Sequence, residues 1–318
     1  MKKSQEWRSE MRWLGLFLIL LLNSGCVLAN PAKTKFTVRV LNAETDEIIT
    51  NAAVLCHFTQ KRDPWGNGTG KSTRVKQVVD ANGETTIENK TIQKGTGATA
   101  FADGFYTDSA GLKFTGKNTA LNRWEPWNPT IEVKMRPKKN PVPMINKRVE
   151  SSKIPVWEKD LGFDLEKGDW VDPYGIGTQS DFFVNMVRRF EHSGDYDAVA
   201  TIRFPNEGDG IQRYEVPDEF QSSSFKFPYK APLDGYQDKL ILERHATLRK
   251  TECNFNPKTD LYIFRVRTEL DADGNVVSAC YGRTTGRIEI GWGEVFDFSY
   301  FFNTNSQSRS LESDEKPY

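Results

Sequence analysis

The sequence predicts an all-β protein built as two β-sandwich-like domains joined by a proline-rich linker. Three observations carry that prediction. Apolar and polar residues alternate in short runs along the chain, which is the period of a strand with one buried face. No window sustains the 3.6-residue apolar period of an amphipathic helix. Between the halves, Arg136-Pro137-Lys138-Lys139-Asn140-Pro141-Val142-Pro143 carries three prolines, which remove ladder donors and fix φ, so the stretch reads as a semi-rigid spacer. At roughly 150 residues per domain, 318 residues allow about two domains, and 20 Phe, 10 Tyr and 8 Trp supply apolar mass for two cores.

The expected order is a signal peptide over 1–29, a first sandwich over 30–137, a linker over 138–160, a second β-rich domain over 161–303 and a mobile tail over 304–318. Lys2, Lys3, Arg8 and Arg12 precede an uncharged run of ten residues, Trp13 to Leu22. A spanning helix needs about 20 apolar residues, so this run suits the core of a secretory signal rather than a membrane anchor. Two readings of the cut stay open. Val27-Leu28-Ala29 offers small residues for cleavage after Ala29, whereas Ser24-Gly25-Cys26 resembles a bacterial lipobox that would make Cys26 a lipidated first residue. Asn23 departs from the lipobox pattern. Removing residues 1–29 leaves 39 basic against 41 acidic side chains.

In the first domain Lys35 to Val40 alternates strictly, pointing Phe36, Val38 and Val40 inward. Further strands are expected over Ala52–Phe58, Thr73–Val79, Glu84–Ile92, Thr96–Ala102 and Thr130–Met135, with Asp80-Ala81-Asn82-Gly83 as a hairpin-type turn. Val54, Cys56 and Phe58 share one strand face, which makes Cys56 a small buried hydrophobe. Six or seven short strands in about 100 residues read as a β-sandwich.

The series Val38-Arg39-Val40-Leu41, Asn42-Ala43-Glu44-Thr45-Asp46, Asn51-Ala52-Ala53-Val54, Asp80-Ala81-Asn82-Gly83-Glu84, Phe101-Ala102-Asp103-Gly104-Phe105-Tyr106 and Ile131-Glu132-Val133-Lys134-Met135 resembles a carboxypeptidase regulatory-like domain. That is a transthyretin-like sandwich appended to many exported bacterial proteins. The resemblance covers about residues 33–137. It implies a structural or binding accessory module and says little of function. The polar Lys61 to Ser72 insert is longer than such domains usually carry.

In the second half, Asp197–Phe204, Lys239–Glu243, Leu261–Leu270, Asn275–Tyr281 and Arg287–Ile290 fit strands, and Ser180 to Phe190 leans the same way. Leu261 to Arg267 is expected to bury one face wholly and the other in part. Asp271-Ala272-Asp273-Gly274-Asn275 then turns it back as a hairpin. Cys253 and Cys280 flank this strand and could pair after export. Residues 144–160 are free to fold back onto either domain.

Several chemistries are unsupported. A balanced charge gives no basic nucleic-acid footprint. Gly66 to Ser72 lacks the phosphate-loop spacing, and a strand pattern follows it instead of a helix. Counted from Asp271, a calcium loop would place Val276 where Gly belongs and Gly282 where Glu belongs. Glu207-Gly208-Asp209-Gly210 reads first as a turn and second as an ion site. His57, His192 and His245 show no zinc-peptidase spacing, and there is no Gly-x-Ser-x-Gly elbow. No catalytic residue, metal ligand or cofactor is assigned.

The aromatics Trp65, Trp124, Trp127, Trp170 and Tyr174 lie in segments rich in Gly, Pro and Asn, where rings can bind sugars or proteins or can close the ends of a core. Trp292, between two glycines, has the same ambiguity. The expectation is an exported, non-enzymatic binding or structural module of the bacterial cell envelope, in the periplasm or at the outer surface, with an envelope protein or glycan as partner and no nucleic acid. The alternative is a carbohydrate-active enzyme or glycan-binding protein that uses these loop aromatics.

Overall fold

The computed structural model describes residues 30–63, 70–256, 259–286, 288–291 and 295–314. The expected signal segment with Cys26, and the positions of Trp65 and Trp292, lie outside the described residues. The chain divides into two compact units. One holds 30–103 and 109–135, the other 104–108 and 136–314. No helix among the described residues is long and apolar enough to cross a membrane.

The first unit contains β1 (Ala32–Asn42), β2 (Ala53–Lys61), β3 (Lys71–Val78), β4 (Glu84–Thr91), β5 (Gly95–Phe101), β6 (Asp108–Lys113), β7 (Gly116–Asn118), β8 (Arg123–Glu125) and β9 (Thr130–Met135). One sheet runs β4-β1-β8-β7 with β9 also on β1, and the other runs β3-β2-β5-β6. The predicted alternation is realised: Phe36, Val38 and Val40 of β1 are buried, as are Val54, Cys56 and Phe58 of β2. The Phe36 and Phe58 rings meet between the sheets at 6.4 Å. The Asp80 to Gly83 turn forms as expected. Asp80 Oδ1 accepts the Asn82 and Glu84 amides at 2.8 and 3.0 Å, and Gly83 takes φ +68°, which side chains resist.

The second unit contains β10 (Ile145–Lys153), β11 (Leu161–Asp164), β12 (Asp169–Trp170), β13 (Phe182–His192), β14 (Asp195–Arg203), β15 (Gly210–Tyr214), β16 (Lys239–Thr247), β17 (Lys250–Cys253), β18 (Leu261–Leu270), β19 (Val276–Thr284), β20 (Glu289–Ile290) and β21 (Val295–Asn303). A third sheet runs β12-β11-β13-β14-β16-β17. A fourth runs β10-β21-β19-β18-β15, with β20 beside β21. Their facing sides interleave rings, among them Phe163 against Phe298 at 5.3 Å, in a core that includes Tyr262, Phe264, Tyr300 and Phe302.

Two expectations give way in this unit. Residues 138–160 are not all linker, because β10 pairs antiparallel with β21 from Ile145↔Phe302 to Lys153↔Val295. The tail is not free over 304–314. Leu311 and Glu312 are buried, the Leu311 amide reaches Tyr229 O at 3.0 Å, and the Val142 amide reaches Glu312 O at 3.0 Å. As expected, β18 buries one face wholly (Tyr262, Phe264 and Val266) and the other in part (Ile263 and Arg265, with Leu261 and Arg267 half-buried), because the tail and the loop before β16 cover the side of the fourth sheet that the third sheet leaves open.

Candidate functional site

The covered side of the fourth sheet holds the site. Strand register places Ile263 (β18), Arg283 (β19), Phe301 (β21) and Asn146 (β10) in one row across four strands. In the next row Ser299 sits opposite Arg148, and Thr285 donates its amide to Ser299 O at 2.8 Å. Side chains directly opposite one another share a sheet face. Two apolar residues, two cations and three polar groups therefore point the same way.

The loop between β15 and β16 roofs these rows with Phe225 and Phe227. Phe225 stacks on Tyr106 at 4.6 Å, and Phe227 on Tyr214 at 5.3 Å. Arg136 fixes the roof from the other side. Its Nη1 donates to Phe225 O at 2.7 Å and Phe227 O at 2.8 Å, and its guanidinium lies over the Phe220, Phe225 and Tyr229 rings at 4.1 to 4.9 Å. Between roof and sheet is a cleft of about 430 Å³ lined by Tyr106, Lys226, Phe227, Arg283, Ser299 and Phe301, among other residues. Such volumes suit small ligands.

The electrostatics of the cleft are set by Arg283. It is 8% exposed, and its guanidinium lies 4.4 Å from Phe301, 5.2 Å from Phe227 and 5.4 Å from Phe225, measured to ring centroids. Nε donates to Leu311 O at 2.8 Å. Burial pushes its pKa down to about 10, against a small opposing pull from Tyr106, so the group remains cationic at neutral pH. Nearby, Tyr106 donates its hydroxyl to Glu312 at 2.9 Å. Burial, and then the Glu312 carboxylate, push the phenol well above its usual range and keep it protonated. Glu312 also accepts the Lys139 and Asn140 amides at 2.9 and 2.8 Å. Its charge is thus spent on tying the tail to 139–140.

The residues singled out in the sequence fall elsewhere. Trp124 is a core residue of the first unit, stacked on Phe114 at 5.4 Å with Nε1 donating to Thr91 O at 2.9 Å. Trp127 is half-buried beneath the Arg123 guanidinium. Trp170 is buried in the second unit's core, edge-on to Phe163. Tyr174 is exposed on its loop, its amide bound to Val171 O at 3.1 Å. Two of these five rings are therefore packing residues, and Trp65 lies outside the described residues. Cys253 and Cys280 are free thiols. The first lies on edge strand β17 of the third sheet and the second on β19 of the fourth, and no disulfide joins them.

The turn readings hold. Asp271 Oδ1 accepts the Asp273 and Asn275 amides at 3.0 and 2.8 Å within the β18–β19 hairpin. Asp209 is tied to the Arg267 and Thr268 amides at 3.1 and 2.8 Å, where Arg267 takes φ +56°. His57, His192 and His245 are exposed on separate strands, and no group of three or more His, Cys, Asp or Glu able to hold a metal ion occurs among the described residues.

Arg283 and Lys226 are absent from the sequence reading. The one signal that could have found the first is an arginine following Ala279-Cys280-Tyr281-Gly282, a strand too apolar to leave it in water. Lys226, between Phe225 and Phe227, gives no such signal.

No family model matches the chain, and no curated protein does. Among solved structures it is similar to a variant of the catechol 1,2-dioxygenase of Acinetobacter radioresistens, with 11% identity, a TM-score of 0.26 and coverage of 35% of this chain and 53% of that one. The chain thus spans about half the length of that dioxygenase. It is also similar to BcpA, the major pilin subunit of Bacillus cereus, at 9% identity, a TM-score of 0.20 and coverage of 88% and 97%. A variant of the shaft pilin SpaA of Lactobacillus rhamnosus GG follows at 8% identity, a TM-score of 0.20 and coverage of 76% and 89%.

Proposed function

We propose that this protein is an exported, non-enzymatic binding module of the bacterial cell envelope, and that its binding site is the cleft of the second unit. The observation that carries this reading is a preformed concave site in which rings, cations and hydroxyls converge on one sheet face. The first unit serves as the accessory sandwich, in the manner of the carboxypeptidase regulatory-like domain it resembles. Export is supported by the basic start, the ten-residue apolar core and the small residues before Asn30. Glycan binding through the loop tryptophans loses support, because Trp124 and Trp170 are packed inside their own units.

Fractionation of expressing cells followed by mass spectrometry of the N-terminus tests the export half. The expected product is an envelope species beginning at Asn30 or at an acylated Cys26. Intact precursor retained in the cytosol would contradict it.

A further inference from the structure

We infer that the cleft takes a ring-shaped carboxylic acid, its carboxylate on the Arg283 guanidinium and its ring against Phe227 and Phe301. This rests on the reading that the cleft is the binding site.

A guanidinium this deeply buried ordinarily has a carboxylate beside it, because burying a charge without a partner strips its hydration and returns nothing. Arg267 shows the usual solution in the same sheet: its Nε donates to Asp181 at 2.8 Å and its Nη1 to Glu166 at 3.0 Å. Arg283 has no ion pair among the described residues. It has ring faces and one backbone carbonyl, and only Nε is committed. The Nη1–Nη2 edge is the fork that a carboxylate meets with two parallel hydrogen bonds.

The surroundings favour the same charge. None of the described lining residues is acidic, and Lys226, which also has no ion pair among the described residues, adds a third cation from the roof to Arg283 and Arg148. The nearest acid of the tail, Glu312, is committed to Tyr106, Lys139 and Asn140. Phe227 and Phe301 supply flat apolar walls, and Ser224 and Ser299 supply hydroxyls for further polar groups on a ligand. A cavity of about 430 Å³ admits one ring with its substituents. Two sources fit this chemistry, a uronic acid residue of an acidic polysaccharide and an aromatic acid.

Calorimetric titration of the full mature chain with glucuronate, glucose, benzoate and benzamide tests the inference and separates the sources. At least one acid is expected to bind at least tenfold more tightly than its neutral counterpart, with glucuronate marking the sugar and benzoate the aromatic source. Lys226→Glu is expected to reduce that affinity by about tenfold or more without changing thermal stability, since Lys226 is only half-buried. Arg283→Lys should do the same, and Lys226→Glu keeps the test intact if that variant fails to fold. If acid and neutral partner bind equally and Ser224→Trp blocks both, the charge inference is overturned while the cleft remains a binding site. If no probe binds at millimolar concentration, both are overturned.

Discussion

Arg283 and Cys56 are both buried in strands, yet they sit in opposite electrostatic situations. Burial lowers the arginine only to about 10, so it keeps its charge and must be solvated by rings and a carbonyl. Burial drives the Cys56 thiol up to about 12, which removes the thiolate and with it the reactivity. Cys280 is raised in the same direction by burial, whereas Cys253 is only half-buried on an edge strand. Iodoacetamide at about pH 8 is therefore expected to modify Cys253 in the native protein, and Cys56 and Cys280 only after unfolding. Rapid native labelling of Cys56, or a mass showing a bond between Cys253 and Cys280, would contradict these thiol assignments.

At the scale of the strand, β19 packs closely against both neighbours at Gly282. Gly282 stands opposite Phe264 on one neighbour and Phe302 on the other. A Cβ there would run into the Phe264 ring and come within 2.7 Å of Phe301 O. The ring fills the space that a side chain would need, so glycine is required for close approach. Gly282→Ala is expected to destabilise the second unit by ~1–3 kcal/mol, because the backbone oxygen cannot yield. A denaturation midpoint unchanged from wild type would show that the ring moves aside.

Such strands were legible where one face meets a core and the other meets water, as in β1 and β2. They were less legible where both faces are covered. In β18 the apolar residues of the two faces merge into one run, and alternation alone cannot say what covers each side. β10 was hidden by the neighbouring prolines. β21 carries a clear period-two row of Phe296, Phe298, Tyr300 and Phe302, a signal present in the sequence but absent from the expected strands.

Across the molecule, the two-sandwich plan follows from pattern and from the proline break, whereas the candidate site does not. The site is assembled from Tyr106, the 215–231 loop, β19, β21 and the tail, segments up to about 200 residues apart in sequence (Tyr106 to Glu312, for instance, is a separation of 206). Its roof is irregular and its floor is the second face of a sheet, neither of which has a local sequence signature. The polar composition of 304–314 suggested mobility, yet Leu311, Glu312 and Ser313 are buried, because the Ser- and Asn-rich backbone finds its hydrogen bonds against 229–231 and 140–142.

Hydrogen–deuterium exchange of the mature chain, with and without a saturating acidic ring probe, tests most directly whether this cleft is where the protein binds. Amides of 221–227, 281–286 and 299–301 are expected to gain protection while the first unit is unaffected. Protection confined to the first unit, or to the Tyr174 loop, would contradict the assignment.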